Sequence, residues 1–127
     1  MLNQKNTKIQ GNVGIGSAIQ YFTLKGYIVS IPITDSQDYD LIFDDGKEIN
    51  TVQVKTTRSK SKYGIYKLGL RVNGGNRSGR GKTKFLNKKI KYIFGLCEDG
   101  KRYLIPTEEI DATSVINLGK EYDKYII

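Results

Sequence analysis

Apolar residues recur at helical spacing near the start of the chain and then change to the alternation that is typical of β-strands. The segment Gly11–Lys25 carries the apolar stripe of an amphipathic helix, and Gly26 follows it as a helix stop. Residues 1–10 are mostly polar and are predicted to form a flexible N-terminal tail. Residues 11–127 are predicted to form a single domain.

Short segments rich in β-branched residues follow the helix. In the longest, Ile49–Thr57, Val52 and Val54 fall on one face of the predicted strand, while Gln53 and Lys55 fall on the other. The predicted strands are Tyr27–Ile31, Tyr39–Phe43, Ile49–Thr57, Lys91–Cys97, Arg102–Ile105 and Ser114–Leu118, with extended structure over Tyr63–Val72 and a short helix over Pro106–Ile110. This order predicts an α+β fold, in which a helix covers one face of a mixed β-sheet.

The composition narrows the chemistry that this fold can support. The 127 residues are 38% apolar, contain no run long enough to cross a bilayer, and begin without the apolar centre of a signal peptide. The one cysteine, Cys97, favours a reducing cytoplasm. Histidine is absent, which excludes Ser-His-Asp and Cys-His nucleophiles and His-ligated zinc. A bound metal must therefore be held by oxygen atoms, which favours magnesium or manganese.

The net charge of +8 is concentrated in one part of the chain. Residues 49–97 contain thirteen Lys and Arg and no Asp or Glu, whereas the rest of the chain has eight basic and thirteen acidic residues. A basic block of this extent predicts a surface that binds nucleic-acid phosphates, although a solvated face that only aids solubility is the alternative. Seven residues of the block are the candidate DNA contacts: Arg58, Lys60, Lys62, Arg77, Arg80, Lys82 and Lys84.

Three polar residues are predicted to meet at the end of the first hairpin. Asp40 begins one strand, and Gln53 and Lys55 share a face of the next strand, so the hairpin brings a carboxylate, an amide and an ammonium group together. Such a set suits phosphodiester hydrolysis. Asp40, Gln53 and the backbone carbonyl of Val54 would offer oxygen ligands to a divalent cation, and Lys55 would neutralise charge that develops on the phosphate.

These residues resemble the PD-(D/E)xK nuclease superfamily, and within it the group-I-intron-associated, homing-type endonucleases whose motif reads Gln-x-Lys. The resemblance covers roughly residues 11–106 and is carried by several motifs in the order that the family shows. They are Gly11-x-x-Gly14, Lys25-Gly26-Tyr27, Ile31-Pro32, Tyr39-Asp40-Leu41-Ile42, Asp45-Gly46, Val52-Gln53-Val54-Lys55-Thr56-Thr57, Gly74-Gly75-Asn76 and Tyr103-Leu104-Ile105-Pro106.

The resemblance implies a restriction-endonuclease-like core and a magnesium-dependent DNA endonuclease with Asp40, Gln53 and Lys55 at its centre. Gln53 stands where most superfamily members carry an acid, and Asp35 and Asp38 are the candidates for an additional carboxylate. Two alternatives stay open. One is a Holliday-junction resolvase with the same fold, and the other is a DNA-binding module without catalysis.

The expected partner is double-stranded or branched DNA, with no membrane association. Because one metal site cuts one strand, a homodimer or homotetramer is expected. The predicted subunit interfaces are the hairpin over 91–105 and the apolar C-terminal end, which comprises Tyr122, Tyr125, Ile126 and Ile127.

Overall fold

A computed structural model describes residues 6–73, 83–84, 89–112 and 114–127. Its elements are one α-helix, nine strands and two 3-10 helices. They are α1 (Thr7–Leu24), β1 (Ile28–Ser30), β2 (Leu41–Asp44), β3 (Ile49–Thr57), β4 (Lys67–Gly69), β5 (Val72–Asn73), β6 (Thr83–Lys84), β7 (Tyr92–Cys97), β8 (Arg102–Pro106), the 3-10 helix Thr107–Glu109, β9 (Val115–Asn117) and the 3-10 helix Lys120–Tyr125.

The helix α1 begins four residues earlier than the apolar stripe indicated. Asn6 is its N-cap, and the Asn6 side chain accepts a hydrogen bond of 2.9 Å from the backbone N–H of Lys8. This bond satisfies one of the free N–H groups of the first turn, so the helix extends through residues 7–10, three of which are polar. The expectation that these four residues belong to a flexible tail is therefore wrong, and residues 1–5 of that tail lie outside the described residues.

A five-stranded mixed sheet forms the centre of the fold, as predicted. The strand order is β1-β2-β3-β7-β8, in which β3 and β7 are parallel and the other neighbours are antiparallel. The strand β3 is the middle strand, and its bounds agree with the predicted segment. A nine-residue segment rich in β-branched residues is long enough to predict the strand from sequence. The middle position gives β3 hydrogen-bonded neighbours on both sides.

The two faces of this sheet are covered differently. On one face, α1 packs through Ala18 and Phe22 against a buried cluster that includes Val52 of β3. The other face is covered by the two-stranded β4–β9 sheet and the C-terminal segment, with Leu68 and Ile93 among its fully buried residues. The predicted α+β class, with a helix on one face of a mixed sheet, is confirmed.

The C-terminal end packs partly within its own chain. Tyr122 and Tyr125 lie against the core on the β4–β9 side, and the backbone N–H of Ile127 donates a 3.0 Å hydrogen bond to the carbonyl of Arg102 in the edge strand β8. Ile126 forms an isolated bridge with Tyr103. The two aromatic rings of this predicted interface are therefore partly buried in the core, whereas Ile126 and Ile127 stay exposed at the surface.

Close approach of α1 to β3 depends on Gly14. A Cβ placed on Gly14 would lie 2.6 Å from Cγ2 of Thr56 and 3.0 Å from Cγ1 of Val54, both on the strand that carries the candidate site. Real Cβ atoms do not approach other atoms so closely, so the helix or the strand would have to move. Gly16, in the same helix, has no such neighbour within 4 Å.

We expect Gly14→Ala to lower the free energy of unfolding by about 1–3 kcal/mol through overpacking. The matched control Gly16→Ala should instead raise it by about 0.5–1 kcal/mol, because alanine loses less backbone entropy in a helix. Urea unfolding of the three proteins measures both changes. Equal stability of the two variants would show that α1 does not press on β3 at Gly14.

Candidate active site

Asp40 lies at the point where β2 meets the middle of β3. Its backbone N–H donates a 2.8 Å hydrogen bond to the carbonyl of Val52, and its carboxylate Oδ2 accepts a 2.7 Å hydrogen bond from the backbone N–H of Val54. The backbone bond to Val52 and the carboxylate bond from Val54 therefore hold Asp40 against the centre of the sheet. Its second carboxylate oxygen, Oδ1, accepts no hydrogen bond from the described residues.

Gln53 carries the most unusual polar atom among the described residues. The residue is only 3% exposed, and its Nε2 donates a 3.2 Å hydrogen bond to the carbonyl of Asp38. Its Oε1 is buried and accepts no hydrogen bond within the described part of the chain. An unsatisfied buried oxygen costs about 1–3 kcal/mol, so such atoms are rare unless a ligand completes them.

Lys55 is half-buried on the same face of β3 as Gln53, two residues further along the strand. Its Nζ donates a 2.6 Å hydrogen bond to the backbone carbonyl of Arg71. Arg71 follows the fully buried Leu70, whose N–H is bonded to the carbonyl of Ser114 at 2.8 Å. The acceptor of the ammonium group is thus fixed by the core on the β4–β9 side.

Burial shifts both charged groups of the site toward neutrality. It raises the pKa of Asp40 above its usual value, while the Val54 N–H and the charge of Lys55 act in the opposite direction. Burial lowers the pKa of Lys55, and the charge of Asp40 opposes that shift. The charged form of each group is therefore less stable in the folded protein than in water. Such shifts are typical of residues that serve function rather than stability.

The three side chains open into one cleft of about 450 Å³. Its wall also includes Asp35 and Asp38, the two candidate extra acids, and Arg71. Asp38 meets Gln53 through its backbone carbonyl. The sequence placed Arg71 only in the basic block of residues 49–97 and not at the site. Its position in the cleft depends on a contact with Lys55, sixteen residues earlier in the chain.

The oxygen donors of this cleft fit a small, hard cation. They are the free oxygen of Asp40, the partnerless Oε1 of Gln53, and the backbone of Val54, which lines the same cleft. Among the described residues, no group of three or more His, Cys, Asp or Glu side chains is placed to hold a metal. A set with one carboxylate leaves most coordination positions to water and substrate, an arrangement that Mg²⁺ commonly adopts.

The structure describes part of the predicted DNA contacts. Lys60 and Lys62 are exposed in the turn that follows β3, and Arg58 lies between them and the strand, with its Nε 3.8 Å from Oε1 of Glu98. The side chains of the remaining four, namely Arg77, Arg80, Lys82 and Lys84, lie outside the described residues.

Comparison with known proteins agrees with this geometry. A family model described as PD-(D/E)XK endonuclease matches residues 5–124, nearly the whole chain. The chain belongs to the PD-(D/E)XK endonuclease family. It is therefore a nuclease.

A solved structure adds support for the homing-type assignment. It is described as a bacterial homing endonuclease, I-Ssp6803I, and it superposes with a TM-score of 0.75 at 27% sequence identity, over 91% of this chain and 79% of that chain. The resemblance to the homing-type branch is confirmed. No curated protein gives a significant match. In the described part of the chain, no helix has the length and apolar character of a membrane span.

Proposed function

We propose that this nuclease is a magnesium-dependent or manganese-dependent endonuclease of the homing type that hydrolyses phosphodiester bonds in DNA. The observation that carries the proposal is the buried, partnerless Oε1 of Gln53 in the same cleft as the carboxylate of Asp40. Buried polar atoms of folded proteins are normally paired, and a cation would satisfy this oxygen, which has no partner among the described residues.

In this proposal, Asp40, Gln53 and the Val54 carbonyl hold the metal, and a bound divalent ion would polarise the phosphate that is to be cleaved. The protein's own residues then position the reactants. Lys55 donates hydrogen bonds to the phosphate or to the attacking water, and neutralises the negative charge that develops as water adds to phosphorus and one bridging oxygen departs. This stabilisation is larger in a partly buried cleft than in water, because solvent screens the charges less.

Arg71 is the second cation that we place at the phosphate. Its side chain lines the cleft and its backbone carbonyl holds Lys55. An arginine can bind two phosphate oxygens at once, whereas a lysine acts as a single point charge. Together the two residues supply positive charge to the cleft, whose wall also includes Asp35 and Asp38.

Asp40→Asn and Lys55→Ala should each reduce cleavage at least about 100-fold while leaving DNA binding and folding intact. Neither change removes a group that the buried core requires. The assay uses a duplex library with a randomised segment and a four-way junction, each with Mg²⁺, with Mn²⁺ and with excess chelator. Sequencing of the cut ends reports any target. Lys47→Ala, in the acidic turn at the opposite end of β3, is the control and should cleave normally.

The panel separates the three candidate functions. Cleavage of library duplexes supports the endonuclease, and cleavage restricted to the junction supports a resolvase with the same site. Binding of DNA without cleavage in any metal supports a DNA-binding module, which the single carboxylate of the site would explain. Activity that survives in chelator, or in Asp40→Asn, would contradict the metal site itself.

Gln53→Leu should abolish cleavage, because it removes the oxygen that we assign to the metal. Gln53→Glu should retain some cleavage and lower the metal concentration needed for half-maximal rate, since a charged ligand of similar size binds a cation more strongly. Cleavage rates measured over a range of Mg²⁺ concentrations distinguish the two variants. If the leucine variant cleaves at the normal rate, Gln53 has no part in the site.

We also propose that the active form is a homodimer or homotetramer, since cutting both strands requires at least two such sites related by symmetry. The predicted interfaces are the hairpin of β7 and β8 and the C-terminal end, where Ile126 and Ile127 are exposed. Light scattering at several protein concentrations, with and without DNA, should show an oligomer. A monomer under all these conditions would restrict the enzyme to cutting one strand.

A further inference from the structure

A short β-hairpin extends from the end of β3 beyond the active site, over residues 58–66; we refer to it as the hairpin arm. Ser61 N–H bonds to the carbonyl of Ile65 at 2.8 Å, and Lys67 N–H bonds to the carbonyl of Ser59 at 2.9 Å. Lys60 and Tyr66 pair as an antiparallel bridge. The arm is therefore a two-stranded ribbon, where the sequence predicted extended structure from residue 63 onward.

The arm is built to hold its tip in one conformation. Oγ of Ser61 accepts hydrogen bonds from the backbone N–H groups of Tyr63 and Ile65, at 3.2 and 3.3 Å. Gly64 has a φ of +77°, which closes the turn at no steric cost. The base is anchored by Tyr66, which is buried in the core and whose carbonyl accepts a 2.9 Å bond from Leu118.

The tip presents a combination of groups that the fold does not use. Tyr63 is 77% exposed, and Nζ of Lys62 lies 5.1 Å from the centre of its ring. Lys60 lies over the ring of Tyr66 at 4.7 Å. The arm contains three cations and no acid. The tip of this two-stranded ribbon therefore carries an exposed aromatic ring close to lysine side chains. Proteins use this combination of groups to bind nucleic acids.

We propose that the hairpin arm enters a groove of the DNA bound at the active site, with the ring of Tyr63 against the bases and Lys60 and Lys62 at the flanking phosphates. A two-stranded ribbon fits the major groove of B-DNA, where base edges differ in sequence. Tyr63 is then a residue that determines DNA affinity and target preference. The inference rests on the proposed function, because it requires DNA at the cleft.

The arm's length sets where it touches the DNA. Tyr63 follows Lys55 by eight residues in the chain. A fully extended segment of eight residues spans at most about 26 Å. With one base pair for about every 3.4 Å of duplex, the contact falls within about eight base pairs of the phosphate at Lys55. A duplex of about thirty base pairs therefore covers both contacts.

Binding of a fluorescein-labelled duplex of that length, measured by anisotropy in chelator so that it stays uncut, tests the proposal. Tyr63→Ala should weaken binding about tenfold with an unchanged salt dependence, because it removes a ring and no charge. Tyr63→Phe, which keeps the ring, should bind like the wild type. Lys62→Ala should lower the log–log salt slope by about one. Lys47→Ala is the control for a distant lysine, and all variants should melt at the wild-type temperature.

A direct contact is tested on the same duplex with thymines replaced by 5-iodouracil, which forms photo-crosslinks to neighbouring aromatic side chains. Mass spectrometry should find the crosslink on Tyr63. If the wild type binds the duplex but Tyr63→Ala binds equally well and no crosslink maps to Tyr63, the arm does not read DNA while the proposed function stands. If the wild type binds neither duplex nor junction, the proposed function fails, and the arm's role fails with it.

Discussion

The hydrogen bond of 2.7 Å from the Val54 N–H to the carboxylate of Asp40 ties the end of β2 to the centre of β3. It fixes the carboxylate of Asp40 beside the amide of Gln53 and the ammonium of Lys55. β3 is itself held between β2 and β7 and pressed by α1 at Gly14. The sheet therefore acts as the rigid support that a catalytic constellation needs.

The charged groups of the site lower the stability of the folded protein. The raised pKa of Asp40 means that folding disfavours its ionised form, so that at neutral pH the charged carboxylate makes the folded state less stable than an uncharged group would. The lowered pKa of Lys55 has the same meaning for the ammonium. The partnerless oxygen of Gln53 adds a further cost. A cation bound to these oxygens would offset the costs at Asp40 and Gln53, whereas the negative charge of a DNA phosphate would offset the cost at Lys55.

Sequence reasoning succeeded where a long local pattern determined the structure. The alternation of Ile49–Thr57 predicted β3, and with it the side of the sheet on which Gln53 and Lys55 lie. It was less successful where a single contact between residues far apart in the sequence determines the structure. The Asn6 cap extends α1 beyond its apolar stripe, and the carbonyls of Asp38 and Arg71 reach Gln53 and Lys55 across fifteen and sixteen residues. The pairing of the short strands β4 and β9 is also non-local. It buries the face of the sheet that the predicted single helix does not reach.

Binding of Mn²⁺ to the uncut complex, followed by electron paramagnetic resonance, tests the central claim most directly. Titrations of the wild type, Asp40→Asn and Gln53→Leu on the same duplex, at low temperature to suppress cleavage, report metal occupancy apart from turnover. The account predicts that the wild type binds Mn²⁺ and that its affinity for the ion decreases as the pH falls through the raised pKa of Asp40. Neither variant should show comparable binding. Equal binding by all three proteins, or none by the wild type, would contradict it.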